Sequence, residues 1–166
     1  MFSIVAKAQL AILLLAMQAT TARAEYVHLS LAELVRQSKL IVIGEVIHVR
    51  PITQRDMGFS FEAIFAPQEF IKGQKPKTQI KVLFQSGFVC DTVVLHAGHR
   101  YLLFLTKPHG VRSADVWTVH NYSNGVAHIN QHEFVLGSIV PDHNRWPFIG
   151  MSLGDFRKEI ESRLKD

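Results

Sequence analysis

Apolar and polar positions divide the chain into a short helix, a series of strands and a closing helix. The stretch around which the rest is organised is Leu40-Ile41-Val42-Ile43-Gly44-Glu45-Val46-Ile47-His48-Val49. It begins as a continuous apolar run and ends in alternation, and its β-branched residues favour a strand. A strand buried on both faces first and half-exposed later suits a small coiled barrel, and Gly44 predicts a bend or bulge within it. Just upstream, Ser30-Leu31-Ala32-Glu33 has the form of a capping box, opening a helix to about Gln37 with Leu31, Leu34 and Val35 as its apolar stripe.

After a polar hairpin loop at Gln54–Gly58, Phe59, Phe61, Ala63 and Phe65 alternate with polar residues, which predicts a second strand. Pro67 interrupts it, as expected at an edge or a bulge, and it resumes through Phe70-Ile71 to stop at Lys72-Gly73. Ile80, Val82 and Phe84 mark a half-buried strand, and Thr92–Leu95 a small one. Gly98-His99-Arg100-Tyr101-Leu102-Leu103-Phe104-Leu105 is apolar on both faces and is expected to be central. Val116–Tyr122 and Val126–Asn130 read as a hairpin through Asn124-Gly125, a strong two-residue turn signal. Gln131–Gly150 has no clear period and is expected to lie as a loop over the barrel. Ser152 then caps a terminal helix whose stripe is Leu153, Phe156, Ile160 and Leu164.

The first 24 residues have the form of a signal peptide. Lys7 supplies a basic start, Leu10–Met17 an apolar core too short to span a bilayer, and Ala22-Arg23-Ala24 a small-x-small cleavage site before Glu25. The expected product is one exported domain, residues 25–166, periplasmic or secreted and with no stable membrane anchor after cleavage. Removal of Lys7 and Arg23 lowers the formal charge from +4 to +2, and the remaining basic residues are scattered. Charge therefore gives no footprint for nucleic acid. Cys90 is the sole cysteine, so stability must come from burial rather than an internal disulfide. Its apolar neighbours favour a buried thiol, whereas Gly87 and Asp91 suit an exposed turn.

The helix running into Ser38–Val46, the Phe70-Ile71-Lys72-Gly73 segment, the Gly98–Leu105 strand, the closing hairpin and the terminal helix together resemble the netrin-like fold. That fold is shared with tissue inhibitors of metalloproteinases, and the resemblance is to its bacterial secreted form. It covers most of Ser30 to Leu164. It implies a mainly β protein, an OB-like five-stranded Greek-key barrel flanked by an N-terminal and a C-terminal helix. Inhibitors of this fold place an N-terminal Cys-x-Cys on the protease zinc. The expected mature chain begins Glu25-Tyr26-Val27-His28, so inhibition by that wedge is not implied.

Nine histidines are the one compositional hint of metal. His96 with His99, and His128 with His132, have ligand-like spacings. The second pair would need a helix to face one way but falls in a predicted strand and its exit. In the predicted hairpin His120 lies opposite Ile129 and His128 opposite Asn121, which points these two imidazoles to opposite faces. These four are the candidate metal ligands, and no metal or other cofactor is assigned. Cys90-Asp91 with His96 or His99 is the one compact set resembling a hydrolytic site, without an oxyanion loop to support it. Phe59, Phe61 and Phe65 could stack bases on an OB-like surface, but the same rings more often fill a barrel, and export argues against a nucleic-acid ligand.

Two functions follow as expectations. The first is a non-catalytic module that grips a protein in the cell envelope or outside the cell. The second is a small-ligand or metal-binding protein that uses surface histidines. For the first, the candidate partner site is Arg145, Trp146 and Phe148, an aromatic–arginine group of the kind enriched in binding hot spots. The competing expectation is that these aromatics cap the barrel and dock the terminal helix.

Overall fold

The computed structural model describes residues 29–52, 58–75, 79–85, 93–120, 125–136 and 148–165. The signal peptide, Cys90, Arg145 and Trp146 lie outside these residues. The elements are α1 (Leu31–Gln37), β1 (Leu40–Pro51), β2 (Phe61–Lys72), β3 (Ile80–Phe84), β4 (Arg100–Thr106), β5 (Val116–Val119), β6 (Val126–Ile129) and α2 (Leu153–Ser162).

The capping box at Ser30 is formed in full. Glu33 Oε2 accepts from the Ser30 backbone N–H at 2.9 Å, and Ser30 Oγ accepts from the Glu33 N–H at 3.3 Å. Ser38 ends α1 in an extended conformation, which feeds the chain straight into β1. At the other end Ser152 caps α2 by accepting from the Asp155 N–H. The stripe of α2 buries Leu153, Phe156 and Ile160, while Leu164 falls beyond the helix end and is exposed.

The strands close into a barrel in the order β1-β2-β3-β5-β4, with β4 returning to β1. All pairings are antiparallel except β3 with β5. This is an OB-like five-stranded Greek-key barrel with a helix at either end of the chain. Strand β1 is its seam, bonded to β2 along its whole length and to β4 through Leu40–Glu45. Its first residues are buried on both faces and its last exposed, as the sequence pattern predicts. Pro67 lies opposite Gly44 at a register shift, beyond the part of β2 that β3 covers.

Alternation along the strands separates two cores. Leu40, Val42, Val46, Phe65, Val82, Tyr101, Leu103 and Leu105 fill the barrel. Ile41, Ile43, Leu102, Phe104, Ala127 and Ile129 face outward and meet Leu34 and Val35 of α1 and Phe156 and Ile160 of α2. The helices are thus held on one flank of the barrel by the outer faces of β1, β4 and β6.

Two predicted elements are corrected. The Asn124-Gly125 hairpin does not form, because β5 and β6 do not pair with each other. They follow one another along the same edge of β4, with Leu105 opposite Val119 and Leu102 opposite Ala127. A type I′ turn needs positive φ at Gly125, which is not in that region. Gly125 serves close packing instead, since a Cβ there would lie 2.1 Å from the His120 carbonyl oxygen. The second correction is that 93–96 form no strand, although Val93 and Leu95 are buried in the barrel core.

Candidate functional site

The most concentrated chemistry among the described residues gathers where the chain enters β4. Gly98 donates its N–H to the Val46 carbonyl at 2.7 Å, and His99 accepts from the Val46 N–H at 3.0 Å. These bonds fix the approach to β4 against the middle of β1. Tyr101, two residues on, points into the barrel and is fully buried. Its hydroxyl accepts from the His96 N–H at 3.0 Å, which ties the 93–99 loop over the barrel end. Burial raises the Tyr101 pKa, opposed by that N–H, so the phenol stays protonated at neutral pH.

Across the β4–β6 ladder His128 sits directly opposite Tyr101. Both occupy the inward-facing parity of their strands, and their ring centroids are 5.2 Å apart. His99 completes the group, with its Nδ1 3.1 Å from His128 Nε2 and the rings 5.1 Å apart. The His96 ring lies 5.5 Å from that of His99. Burial first, then the neighbouring His99 and His96, hold the His128 pKa below the ordinary histidine value.

The structure thus joins three of the four candidate histidines across strands. The fourth, His132, lies in the turn after β6, where its backbone N–H donates to Asn130 Oδ1 at 2.9 Å. Sequence spacing grouped His96 with His99 and His128 with His132, whereas the closest contact is His99 with His128. The assignment of His128 opposite Asn121 is corrected with the hairpin on which it rested. Tyr101, whose ring packs against those of His128 and His99, is not among the residues that the sequence pattern singles out. Its signal was the inward position it takes once Leu103 and Leu105 are placed in the core.

A charged band surrounds the same rim. Arg100, on the opposite face of β4 from Tyr101, donates to Gln68 Oε1 at 3.1 Å, pairs with Glu133 and lies 3.8 Å from Glu69. Glu69 accepts from Arg157 of α2 at 2.8 Å, and Arg157 also pairs with Glu161 at 2.8 Å. These groups bind α2 and the 130–134 turn to the barrel while leaving the imidazoles outside the network. No three His, Cys, Asp or Glu side chains among the described residues converge as a cation site.

Of the candidate partner site, Phe148 is described and is half-buried, its ring 5.1 Å from that of Phe156. Nearby, Val135 and Gly150 are joined by a backbone bond of 2.8 Å, and Phe134, Leu136 and Ile149 are exposed. Of the rings considered for base stacking, Phe65 lies inside the barrel and half-buried Phe61 stacks on Phe84 at 5.6 Å. No helix among the described residues is long and apolar enough to cross a membrane. No protein-family model matches the chain, and no curated protein matches its sequence.

Proposed function

We propose that the chain is an exported, non-catalytic binding module of the netrin-like kind that grips a protein in the cell envelope or outside the cell. The observation that carries this reading is the apolar set Phe134, Leu136 and Ile149, at 42%, 43% and 44% exposure. These are three of the five exposed large hydrophobic side chains among the described residues. They flank the segment that bears Arg145 and Trp146, so aromatic, aliphatic and guanidinium groups are concentrated in one stretch of chain, the composition of a protein-binding hot spot. The filled barrel supports recognition by surface rather than lumen, since Phe65, Tyr101, Leu103 and Leu105 occupy its interior. The helix–barrel–helix order supports the netrin-like reading, and the absent Cys-x-Cys directs it away from a zinc-blocking wedge.

The test is capture from envelope extract by the purified domain, compared with a Leu136→Ser/Ile149→Ser double variant of equal thermal stability. Loss of a specifically captured protein in the variant is the expected result. Equal capture by both, or no specific capture by either, would defeat the reading. Export itself is checked by intact mass, where secreted protein beginning at Glu25 is expected and retention of residues 1–24 would contradict it.

A further inference from the structure

We propose that His99 and His128 form a two-imidazole site for a borderline divalent transition metal, of the zinc(II) and copper(II) class, at the rim of the barrel. The geometry points to it independently of the partner-binding reading. His99 Nδ1 and His128 Nε2 are 3.1 Å apart. At the roughly 2.0–2.1 Å usual for zinc–imidazole bonds, a cation bonded to both would make an N–metal–N angle of about 95–102°. That lies between square-planar and tetrahedral values, which suits copper(II) or zinc(II).

The two donors are mounted on separate, well-anchored pieces of backbone. His128 is held in the β4–β6 ladder opposite Tyr101. His99 is fixed by its carbonyl on the Val46 N–H and by its own N–H on the His96 carbonyl at 3.3 Å. A preset pair spends little ordering entropy on chelation, unlike two histidines on a floppy surface. The His96 ring lies 5.5 Å from that of His99 on the solvent-facing loop, and no third donor among the described residues converges on the pair, so water would complete the coordination. The donor type also fixes the class of cation. Imidazole nitrogens favour zinc and copper over magnesium or calcium, which require oxygen ligands. The nearby carboxylates of Glu69 and Glu133 are engaged by Arg100, on the other face of β4. With the cation absent, the two nitrogens share one N–H as a hydrogen bond; cation binding would require that proton to move to the other nitrogen of its ring and both rings to turn their lone pairs off the N···N line.

The test is calorimetric titration of tag-free protein with zinc(II) chloride and, separately, copper(II) chloride, together with electron paramagnetic resonance of the copper(II) form. One equivalent is expected to bind, with the copper spectrum showing at least two equatorial nitrogens. Loss of an outer-sphere partner already weakens metal sites by about 10–100-fold, so His99→Ala and His128→Ala should each weaken binding at least as much. His132→Ala should leave affinity and spectrum unchanged. If His128→Ala fails to fold, His99→Ala on the exposed rim decides through the loss of one equatorial nitrogen. Wild-type protein that binds neither metal, a His99→Ala variant with wild-type affinity, or an equal loss in His132→Ala would overturn the proposal.

Discussion

Gly44 of β1 lies against the carbonyl oxygen of Ala66 on β2 so closely that a Cβ on Gly44 would come within 2.2 Å of it. The same Cβ would meet Phe65 Cε1 at 2.8 Å, and the contact coincides with a register shift between the two strands. The backbone oxygen cannot move without breaking the β1–β2 ladder. Gly44→Ala is therefore expected to cost about 3 kcal/mol, read as a lowered denaturant midpoint. Gly110→Ala is the control, since it has positive φ but open space around it and should cost only about 1–2 kcal/mol. Equal losses in the two variants would contradict this account of β1.

Lys72, at the end of β2, donates its Nζ to the carbonyls of Val35 at 2.6 Å and Arg36 at 3.0 Å. It thereby satisfies the C-terminal end of α1 from another part of the chain, where a cation also complements the helix dipole. Burial first, and Lys39 second, lower its pKa, yet it remains the donor these oxygens need. Lys72→Met should cost about 1 kcal/mol in chemical denaturation. Unchanged stability would show that solvent serves those carbonyls equally well.

His120 follows β5, continues the ladder through its N–H on the Phe104 carbonyl at 2.8 Å, and meets the uncharged Gln37 side chain at 3.2 Å. Burial lowers its pKa below the ordinary histidine value. The folded state therefore binds the proton less readily than the unfolded chain. The stability linked to this group is complete above the unfolded value near 6.5 and is lost as pH falls through the lower folded value. Unfolding midpoints measured between pH 7.5 and 5 should fall with pH, and His120→Gln should flatten that slope. Identical slopes would remove His120 from the explanation.

The stretch carrying Arg145, Trp146 and Phe148 can be divided by stability. Phe148 packs on Phe156, so Phe148→Ala should cost about 2 kcal/mol, below the roughly 3–5 kcal/mol of a fully buried ring. If Trp146 serves a partner, Trp146→Ala should leave thermal unfolding nearly unchanged and abolish capture. A strongly destabilised Trp146→Ala variant would assign that ring to the core instead.

Much of the fold was legible because it is written in local patterns. The capping box at Ser30, the alternation on β2 and the two-faced apolar run of Tyr101–Leu105 each depend on near neighbours in sequence. The failure at Asn124-Gly125 has a definite cause. A turn signal gives local conformational preference, but the edge of β4 offers β5 and β6 a longer set of backbone bonds than they offer each other. The histidine cluster was lost through the same error, because His128 meets His99 only when β6 is registered on β4. Pairwise spacing along the chain cannot supply a cross-strand register.

The closure of β1 onto β4 also sets how the chain must fold. Leu40 pairs with Leu105, so the barrel is sealed by one of the most sequence-distant pairings in the molecule, while β1 and β2 can zip from a neighbouring loop. Loop-closure entropy is spent before that seal returns any burial. The outer core beneath α1 and α2 rests on residues of both sealed strands, Ile41 and Ile43 with Leu102 and Phe104. The helices consequently have no finished surface to dock on until the seam has formed. Refolding is expected on the millisecond-to-second scale of barrels dominated by non-local pairing, with helix docking following the seam.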